Sequence, residues 1–296
     1  MAYGGPQSLD DVEPYLMDVR GGRATPRELV EEVRSRYARI GGRSPITERT
    51  REQADALERR LHQQGRPVRA YVGMRHWHPY IDETFRQIVT DGVTHLVALA
   101  MAPHYSRMSV GAYIRKVEEA RARSGRDLHI SFVRGFHDHP LFLRAVAAKV
   151  QAALDRYPAA ERAAVAVVFT AHSLPERILQ EGDPYQQQFL DSAQRVAARL
   201  GLGTWRWAYQ SQGSTRDKWL GPDVGAVLDE LQAAGRSDAL IVPIGFVCDH
   251  VEVLYDLDIY YRDYAAAKGL RLARTESLNA SPAFVEALAD VVRAHW

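Results

Sequence analysis

Short apolar runs alternate with segments of helical periodicity along most of the chain, and this alternation limits the fold more than any other feature. The runs are rich in β-branched and aliphatic residues, the composition of buried strands. Alternation of this kind is typical of βαβ units on a parallel sheet, so we predict an α/β fold. The predicted strands cover 68–72, 94–100, 128–133, 164–170, 205–209 and 239–244.

The helical segments repeat the same plan on both sides of Pro158. We therefore predict two Rossmann-like halves with parallel sheets, 1–157 and 158–296, with a ligand cleft between them and the last helix able to pack back on the first half. Ser8 is a candidate N-cap, and Thr25 with Glu28 has the spacing of a capping box. The predicted helices cover 8–20, 26–40, 47–64, 80–89, 110–123, 140–157, 184–200, 224–234, 250–268 and a last segment from 282.

Composition excludes several classes of protein. The net charge of +1 argues against a protein that binds duplex nucleic acid and against a polybasic membrane anchor. The one cysteine, Cys248, leaves no ligand set for an iron–sulfur cluster and no internal disulfide. Without a signal peptide or a run long enough to span a bilayer, we expect a cytoplasmic protein.

The N-terminus carries a glycine turn, Tyr3-Gly4-Gly5-Pro6, with almost no residues before it. An α/β domain normally leads into such a turn with an apolar strand. We therefore expect the natural chain to begin upstream of Met1.

His172 follows the predicted strand 164–170, where a Ser-x-x-Glu capping pattern begins at Ser173. The carboxyl ends of strands face the ligand crevice in open α/β sheets, so this histidine is placed for chemistry. A single histidine at a strand end is nevertheless more often a hydrogen-bonded structural residue.

A second strand end carries acidic residues. Glu252 and Asp256 are four residues apart on a predicted helix, where like charges repel unless solvent or a cation relieves them. A divalent metal would do so. The other reading is structural, with Asp249 and Glu252 forming a capping box.

His172 and Glu252 lie at carboxyl ends of strands in the same half, so one crevice can receive both. An imidazole and a carboxylate can together hold Fe²⁺ or share proton transfer. Two protein ligands are too few for a tight permanent site, so we favour transient metal handling.

Ordered motifs along the whole chain resemble those of ferrochelatases. The N-terminal motifs are Ala2-Tyr3-Gly4-Gly5-Pro6, Arg36-Tyr37, Ile40-Gly41-Gly42-x-Ser44-Pro45 and Ala102-Pro103-His104-Tyr105-Ser106. The C-terminal motifs are Ala171-His172-Ser173-Leu174-Pro175, Gln210-Ser211, Trp219-Leu220-Gly221-Pro222, Pro243-Ile244-Gly245-Phe246 and Asp249-His250-x-Glu252-x-Leu254-Tyr255-Asp256.

This resemblance implies a monomer of the type II chelatase-like fold that inserts Fe²⁺ into a porphyrin in haem biosynthesis. Iron is then a substrate, and no permanent cofactor is expected. The family motifs assign the catalytic and metal-handling roles to His172 and Glu252, with Asp256 also on the metal side. Which residue takes the pyrrole protons and which first meets iron stays open.

The pattern is closest to bacterial coproporphyrin III ferrochelatases, which implies a product in which Tyr3 contacts iron. The four propionates of coproporphyrin III would be bound by arginines and hydroxyl groups. Two residues depart from the family pattern: Gly21 replaces a second basic residue, and Tyr260 replaces a further acid. A protoporphyrin IX ferrochelatase, a cobalt chelatase of related fold and a non-catalytic porphyrin carrier remain alternatives. The propionate-binding positions are Arg20, Arg36, Tyr37, Ser44 and Tyr113.

Overall fold

The structure, a computed structural model, describes residues 1–213, 215 and 217–296. Its helices are α1 Val12–Val19, α2 Arg27–Arg39, α3 Ile46–Gln63, α4 Ile81–Thr90, α5 Val110–Ser124, α6 Pro140–Leu154, α7 Arg177–Gln180, α8 Tyr185–Leu200, α9 Val224–Ala233, α10 Val251–Leu254, α11 Arg262–Ala266 and α12 Pro282–Arg293. Its strands are β1 His95–Leu99, β2 His129–Val133, β3 Ala166–His172, β4 Trp205–Gln210, β5 Asp238–Val242 and β6 Arg271–Arg274.

The chain divides into two compact units. The first contains residues 1–136, 248–251 and 279–296, and the second contains 137–247 and 252–278. This division differs from the predicted boundary after residue 157, because α6 packs on α8 and so belongs to the second unit. Helix α12 packs on α3 in the first unit.

In the first unit, β1 and β2 pair in parallel, with His95 opposite His129 and Leu99 opposite Val133. Helices α4 and α5 pack together, and Phe85 and Val117 belong to the buried cluster beside the sheet. The predicted strand 68–72 does not form a strand, because an extended segment needs a hydrogen-bonding neighbour and the nearest strand-type bridges lie beyond its end, from Met74 to Ala2 and to Tyr80.

The second unit contains a parallel sheet with the order β4-β3-β5-β6. Strand β3 is central and β5 is buried along its whole length, as expected for strands covered on both faces. Strand β6 was not predicted, because its Arg-Leu-Ala-Arg sequence is short and half charged. It is held by pairing with β5 and by two hydrogen bonds of 2.7 Å from Arg271 to Asp238.

The predicted helix 250–268 is broken. Helix α10 ends at Leu254, a π-helical segment covers Asp256–Tyr261, and α11 follows. The Tyr255 carbonyl accepts hydrogen bonds from Ile259 N at 3.1 Å and Tyr260 N at 2.9 Å. Such wide turns inside helices are rare and often lie at functional sites.

Three predicted N-caps do not form. Helix α1 has Asp11 at its N-cap position instead of Ser8, and Pro26 occupies that position in α2, so Thr25 lies outside the helix. Ser173 donates its hydroxyl to Leu220 O at 2.8 Å instead of capping a helix. Among the described residues, no helix is both long and apolar enough to cross a membrane.

Candidate active site

His172 is the last residue of β3, where the buried part of the strand ends. The hydroxyl of Tyr185, at the start of α8, donates a 2.8 Å hydrogen bond to the His172 carbonyl. Burial raises the pKa of Tyr185 well above its ordinary value, so this hydroxyl stays a donor. The strand and α8 together therefore hold the backbone that carries the imidazole.

The turn after β5 approaches the backbone at the end of β3 closely. Gly245, in the turn after β5, donates its N–H to Thr170 O at 3.0 Å. A Cβ on Gly245 would lie 2.7 Å from both Cα and Cβ of Ala171, the residue before His172. Only glycine allows this approach.

Glu252 lies beside His172. Its Oε2 is 3.4 Å from Nδ1 of His172, and the two side chains are 32% and 34% exposed. Burial by itself lowers the pKa of His172, but the charges of Glu252 and Asp256 outweigh it and raise that pKa above the ordinary value. The Glu252 carboxylate therefore favours the protonated imidazole, and about a third of each side chain remains exposed.

Gln210 sets the position of Glu252. It is the β4 residue opposite His172 in the parallel register, and its Nε2 donates to Glu252 O at 2.6 Å. Its Oε1 accepts a 2.8 Å hydrogen bond from the buried hydroxyl of Thr170. One amide thus joins β3, β4 and the beginning of α10.

Asp256 has a different environment from Glu252. It is buried, and its Oδ2 accepts a short hydrogen bond from the hydroxyl of Ser211. Ser211 adopts a left-handed backbone conformation with φ of 59°, which is uncommon for a residue with a side chain. The carboxylate of Asp256 is therefore bonded to Ser211, whereas that of Glu252 contacts His172.

The structure therefore brings His172 and Glu252 together but does not add Asp256 as a third ligand. Among the described residues, no group of three or more His, Cys, Asp or Glu side chains could hold a metal ion. One nitrogen and one carboxylate can receive a metal briefly or accept protons, since a tight site needs more donors.

Tyr3 lies in the first unit with a partly exposed ring. The ring centroid is 4.6 Å from that of His76, and the Tyr3 carbonyl accepts a 2.9 Å hydrogen bond from His76 N. His76 is itself held by Asp18, with 2.7 Å between Nδ1 and Oδ1. Burial lowers the pKa of His76, which favours the neutral ring.

Arg75 connects two of the predicted tyrosines. Its guanidinium carbon lies 5.8 Å from the ring centroid of Tyr3 and 5.9 Å from that of Tyr113. Tyr113 is a buried residue of α5, so its ring belongs to the core of the first unit.

Arg20 is the C-cap residue of α1, and the next residue, Gly21, has a φ of 67°. This left-handed turn explains why glycine occupies position 21, since it has no Cβ to clash. The Nε atom of Arg20 is buried and has no hydrogen-bond partner among the described residues.

The other predicted porphyrin-binding residues are mostly buried or paired on the protein surface. Arg36 pairs with Glu32 on the surface of α2, and Tyr37 is buried with Val12 in the core between α1 and α2. Ser44 is buried, and its backbone N–H donates to Pro6 O at 2.8 Å.

Sequence reasoning missed the supporting residues. Tyr185, Asp18, His76 and Arg75 act through contacts between distant segments, and no motif or periodicity indicates them. The Gln210-Ser211 motif is visible in the sequence, but its position in the chain does not predict the hydrogen bonds to Glu252 and Asp256.

Comparisons with known proteins identify the family of the chain. The ferrochelatase family model matches residues 1–296. The chain is 43% identical to a ferrochelatase of Herpetosiphon aurantiacus over 293 residues, covering 99% of this chain and 96% of that protein. It is 39% identical over 299 residues to a coproporphyrin III ferrochelatase of Geobacillus kaustophilus, covering 100% and 94%.

Solved structures show the same fold. The Bacillus subtilis protein SirB, determined with Fe³⁺, matches with a TM-score of 0.62 at 15% identity, covering 83% of this chain and 88% of SirB. Sirohydrochlorin chelatase SirB of Bacillus subtilis subspecies spizizenii, in complex with cobalt, matches with a TM-score of 0.59 at 15% identity, covering 84% and 89%. The α/β architecture with parallel sheets is therefore that of type II chelatases. By its sequence, its fold and its paired histidine and glutamate, this chain belongs to the ferrochelatase family and is a metal chelatase.

Proposed function

We propose that this ferrochelatase inserts Fe²⁺ into coproporphyrin III and releases iron coproporphyrin III. Coproporphyrin III carries four propionates and protoporphyrin IX carries two, so the number of available cations distinguishes the two substrates. The names of the relatives carry the proposal, and we propose Arg20, which follows the last residue of α1, as one of the cations that bind the propionates. Relatives named coproporphyrin III ferrochelatase support the same choice.

The proposed chemistry at His172 and Glu252 follows from charge balance. Metallation exchanges two pyrrole protons for one Fe²⁺, so the site must accept protons and receive a dication. The pair lies in ion-pair contact, and about a third of each side chain is exposed. The carboxylate, and the imidazole in its neutral form, can each donate to iron or take up a proton, so one group can meet the metal while the other receives a pyrrole proton. The charge of Asp256, which is bonded to Ser211, also acts on His172.

In the first unit we propose that Tyr3 contacts the iron of the metallated product. Its ring is 38% exposed while its backbone is bonded to His76, so the phenol is accessible on a fixed support. Arg36, Tyr37, Ser44 and Tyr113 remain proposed propionate contacts.

An anaerobic assay that supplies Fe²⁺ with each porphyrin tests the substrate. We expect wild-type kcat/KM to be higher for coproporphyrin III, and Arg20→Ala to lower it by about 10-fold or more for that substrate, as for loss of a charge-assisted bond. The matched control is Arg27→Ala, which removes an exposed arginine at the beginning of α2. Equal losses with both porphyrins, or faster wild-type turnover of protoporphyrin IX, would refute the assignment.

A further inference from the structure

A cavity of about 330 Å³ in the second unit lies beside the edge strand β6 and has no part in the proposed chemistry. None of the candidate site residues lines it. Its lining comes from the chain after α6, from β5, from the π-helical segment with the first residue of α11, and from β6 with the turn after it. Three of the lining residues are arginines, Arg156, Arg262 and Arg274, so we call this cavity the arginine pocket.

Arg274 is held in place within the arginine pocket. Its Nε and Nη2 atoms donate to the two carboxylate oxygens of Asp258 at 2.6 and 2.8 Å, and its Nη1 atom donates to Thr275 O at 3.0 Å. Only 17% of its side chain is exposed. Because the guanidinium engages both oxygens of Asp258, the charge of this acid is already balanced.

The second acid that lines the pocket, Glu276, is also engaged on both oxygens. Its Oε2 accepts a 2.8 Å hydrogen bond from Nζ of Lys149, and its Oε1 accepts one of 3.3 Å from Nη2 of Arg156. The hydrogen bond from Lys149 lowers the pKa of Glu276, so the group is a carboxylate at neutral pH. The side chains of Arg156 and Glu276 are 65% and 64% exposed, and such exposed pairs are weak, so Arg156 can turn toward a ligand.

Arg262 supplies an uncompensated charge. It is the first residue of α11, it is exposed, and among the described residues it has no hydrogen bond or ion pair. The three arginines together with Lys149 thus stand against two carboxylates, which leaves an excess of two positive charges at the arginine pocket. A ligand with two negative charges would balance that excess.

Apolar residues complete the lining. Ile241 and Leu257 are buried members of the core of the second unit, and Leu272 packs against the same core. An inorganic oxyanion has no carbon atoms to place on such a surface, whereas an organic acid does. The volume of the pocket is that of a site for a small molecule.

We propose that the arginine pocket binds a small dicarboxylate. The planar fork of arginine matches a carboxylate in geometry, so Arg262 and Arg156 would each bind one end of the ligand. The short carbon chain between the two carboxylates would lie against the apolar lining. Arg274, held by Asp258, would add its positive charge from the side of β6.

The bound dicarboxylate would contact the π-helical segment Asp256–Tyr261. Leu257 and Asp258 belong both to this segment and to the pocket, and Asp256, directly before them, is bonded to Ser211. The ligand would therefore restrain the segment that carries the second acid of the candidate site. This proposal does not depend on which porphyrin is the substrate.

Succinate is the probe for the test, and its uncharged diamide, succinamide, is the matched control with the same carbon chain. At about 20 mM succinate we expect Tm to rise by about 2 °C or more over sodium chloride of equal ionic strength, as for a ligand with a millimolar Kd for the folded state. Hydrogen exchange should slow at the amides of residues 257–262. Succinamide should change neither quantity.

Variants locate the binding. The double replacement Arg156→Ala and Arg262→Ala should keep a Tm near that of wild type without ligand, because both arginines are exposed, and should lose the gain from succinate. Arg199→Ala, which removes an exposed arginine in the last turn of α8, should keep the gain. Arg20→Ala should also keep it, which separates this pocket from the proposed propionate contact.

Three results would overturn the proposal. The first is an equal Tm in succinate and in sodium chloride. The second is a gain that the double variant retains, because succinate would then bind elsewhere. The third is a larger gain from inorganic phosphate than from succinate, which would show that the pocket recognises charge without the carbon chain.

Discussion

Replacement of Gly245 by alanine tests whether the close approach of the turn after β5 to the end of β3 holds His172 in place. The added Cβ would lie 2.7 Å from Cα and Cβ of Ala171, whereas carbon atoms pack at about 3.5–4.0 Å. The contact is with backbone, so a side-chain rotation cannot relieve it. One of the two segments must move by about 1 Å.

That movement is transmitted to His172, the next residue after Ala171. Overpacking of this kind costs about 1–3 kcal/mol, and a displacement of about 1 Å at a reacting group can cost about 100-fold in rate. We therefore expect Gly245→Ala to lower Tm by about 5 °C and to reduce kcat for Fe²⁺ insertion by 10- to 100-fold, as order-of-magnitude estimates. Porphyrin fluorescence titration should still show binding.

Gly225→Ala is the matched control in the same unit. Its added Cβ would have its nearest neighbours at 3.6–3.8 Å, in ordinary contact, and Gly225 lies within α9. This change should leave the rate unaltered and stabilise the protein by about 0.4–1 kcal/mol. A Gly245→Ala protein with wild-type Tm and rate would refute the idea that this approach positions His172.

Two further outcomes can be measured directly. His172→Ala should abolish Fe²⁺ insertion under anaerobic conditions while leaving porphyrin binding measurable, because the change removes a nitrogen donor and proton acceptor; wild-type turnover would contradict its role. Asp238→Asn should lower Tm at neutral pH, because hydrogen bonds from Arg271 lower the pKa of Asp238 in the folded state. A lowered carboxyl pKa stabilises the fold above the unfolded pKa of about 3.9, and that stabilisation is lost as pH falls through the folded value. Thermal melts of the two proteins should therefore converge near pH 2, and a constant difference would show that the ion pair is not responsible.

The two inner strands of the second sheet, β3 and β5, could be predicted because burial on both faces leaves them continuously apolar. Strand β6 could not, since it is bound by pairing with β5 and by Arg271, neither of which leaves a local pattern. The stretch 68–72 has the composition of a strand but lacks a neighbour along most of its length. The composition of a segment shows that it can form a strand. Strand formation also requires a neighbouring segment to which its backbone can hydrogen-bond.

The His172–Glu252 pair was predictable for a topological reason. Parallel strands bring their carboxyl ends to one edge, so residues distant in sequence meet there. The separation of Asp256 from Glu252 was not predictable, because a spacing of four residues indicates one helical face and gives no sign of a π-helical turn. The left-handed backbone conformation of Ser211 was also not predictable, since serine rarely adopts a positive φ.

The wide turn at Asp256–Tyr261 begins at the second acid of the site, so its winding sets the direction of the chain that follows. A continuous α-helix turns by about 100° per residue, so removal of one residue within 257–261 would rotate α11 by about that angle relative to Glu252 and Asp256. Helix α11 packs on β6, so gain or loss of a single codon there would change which side of α11 faces the sheet while leaving the spacing of the two acids unaltered.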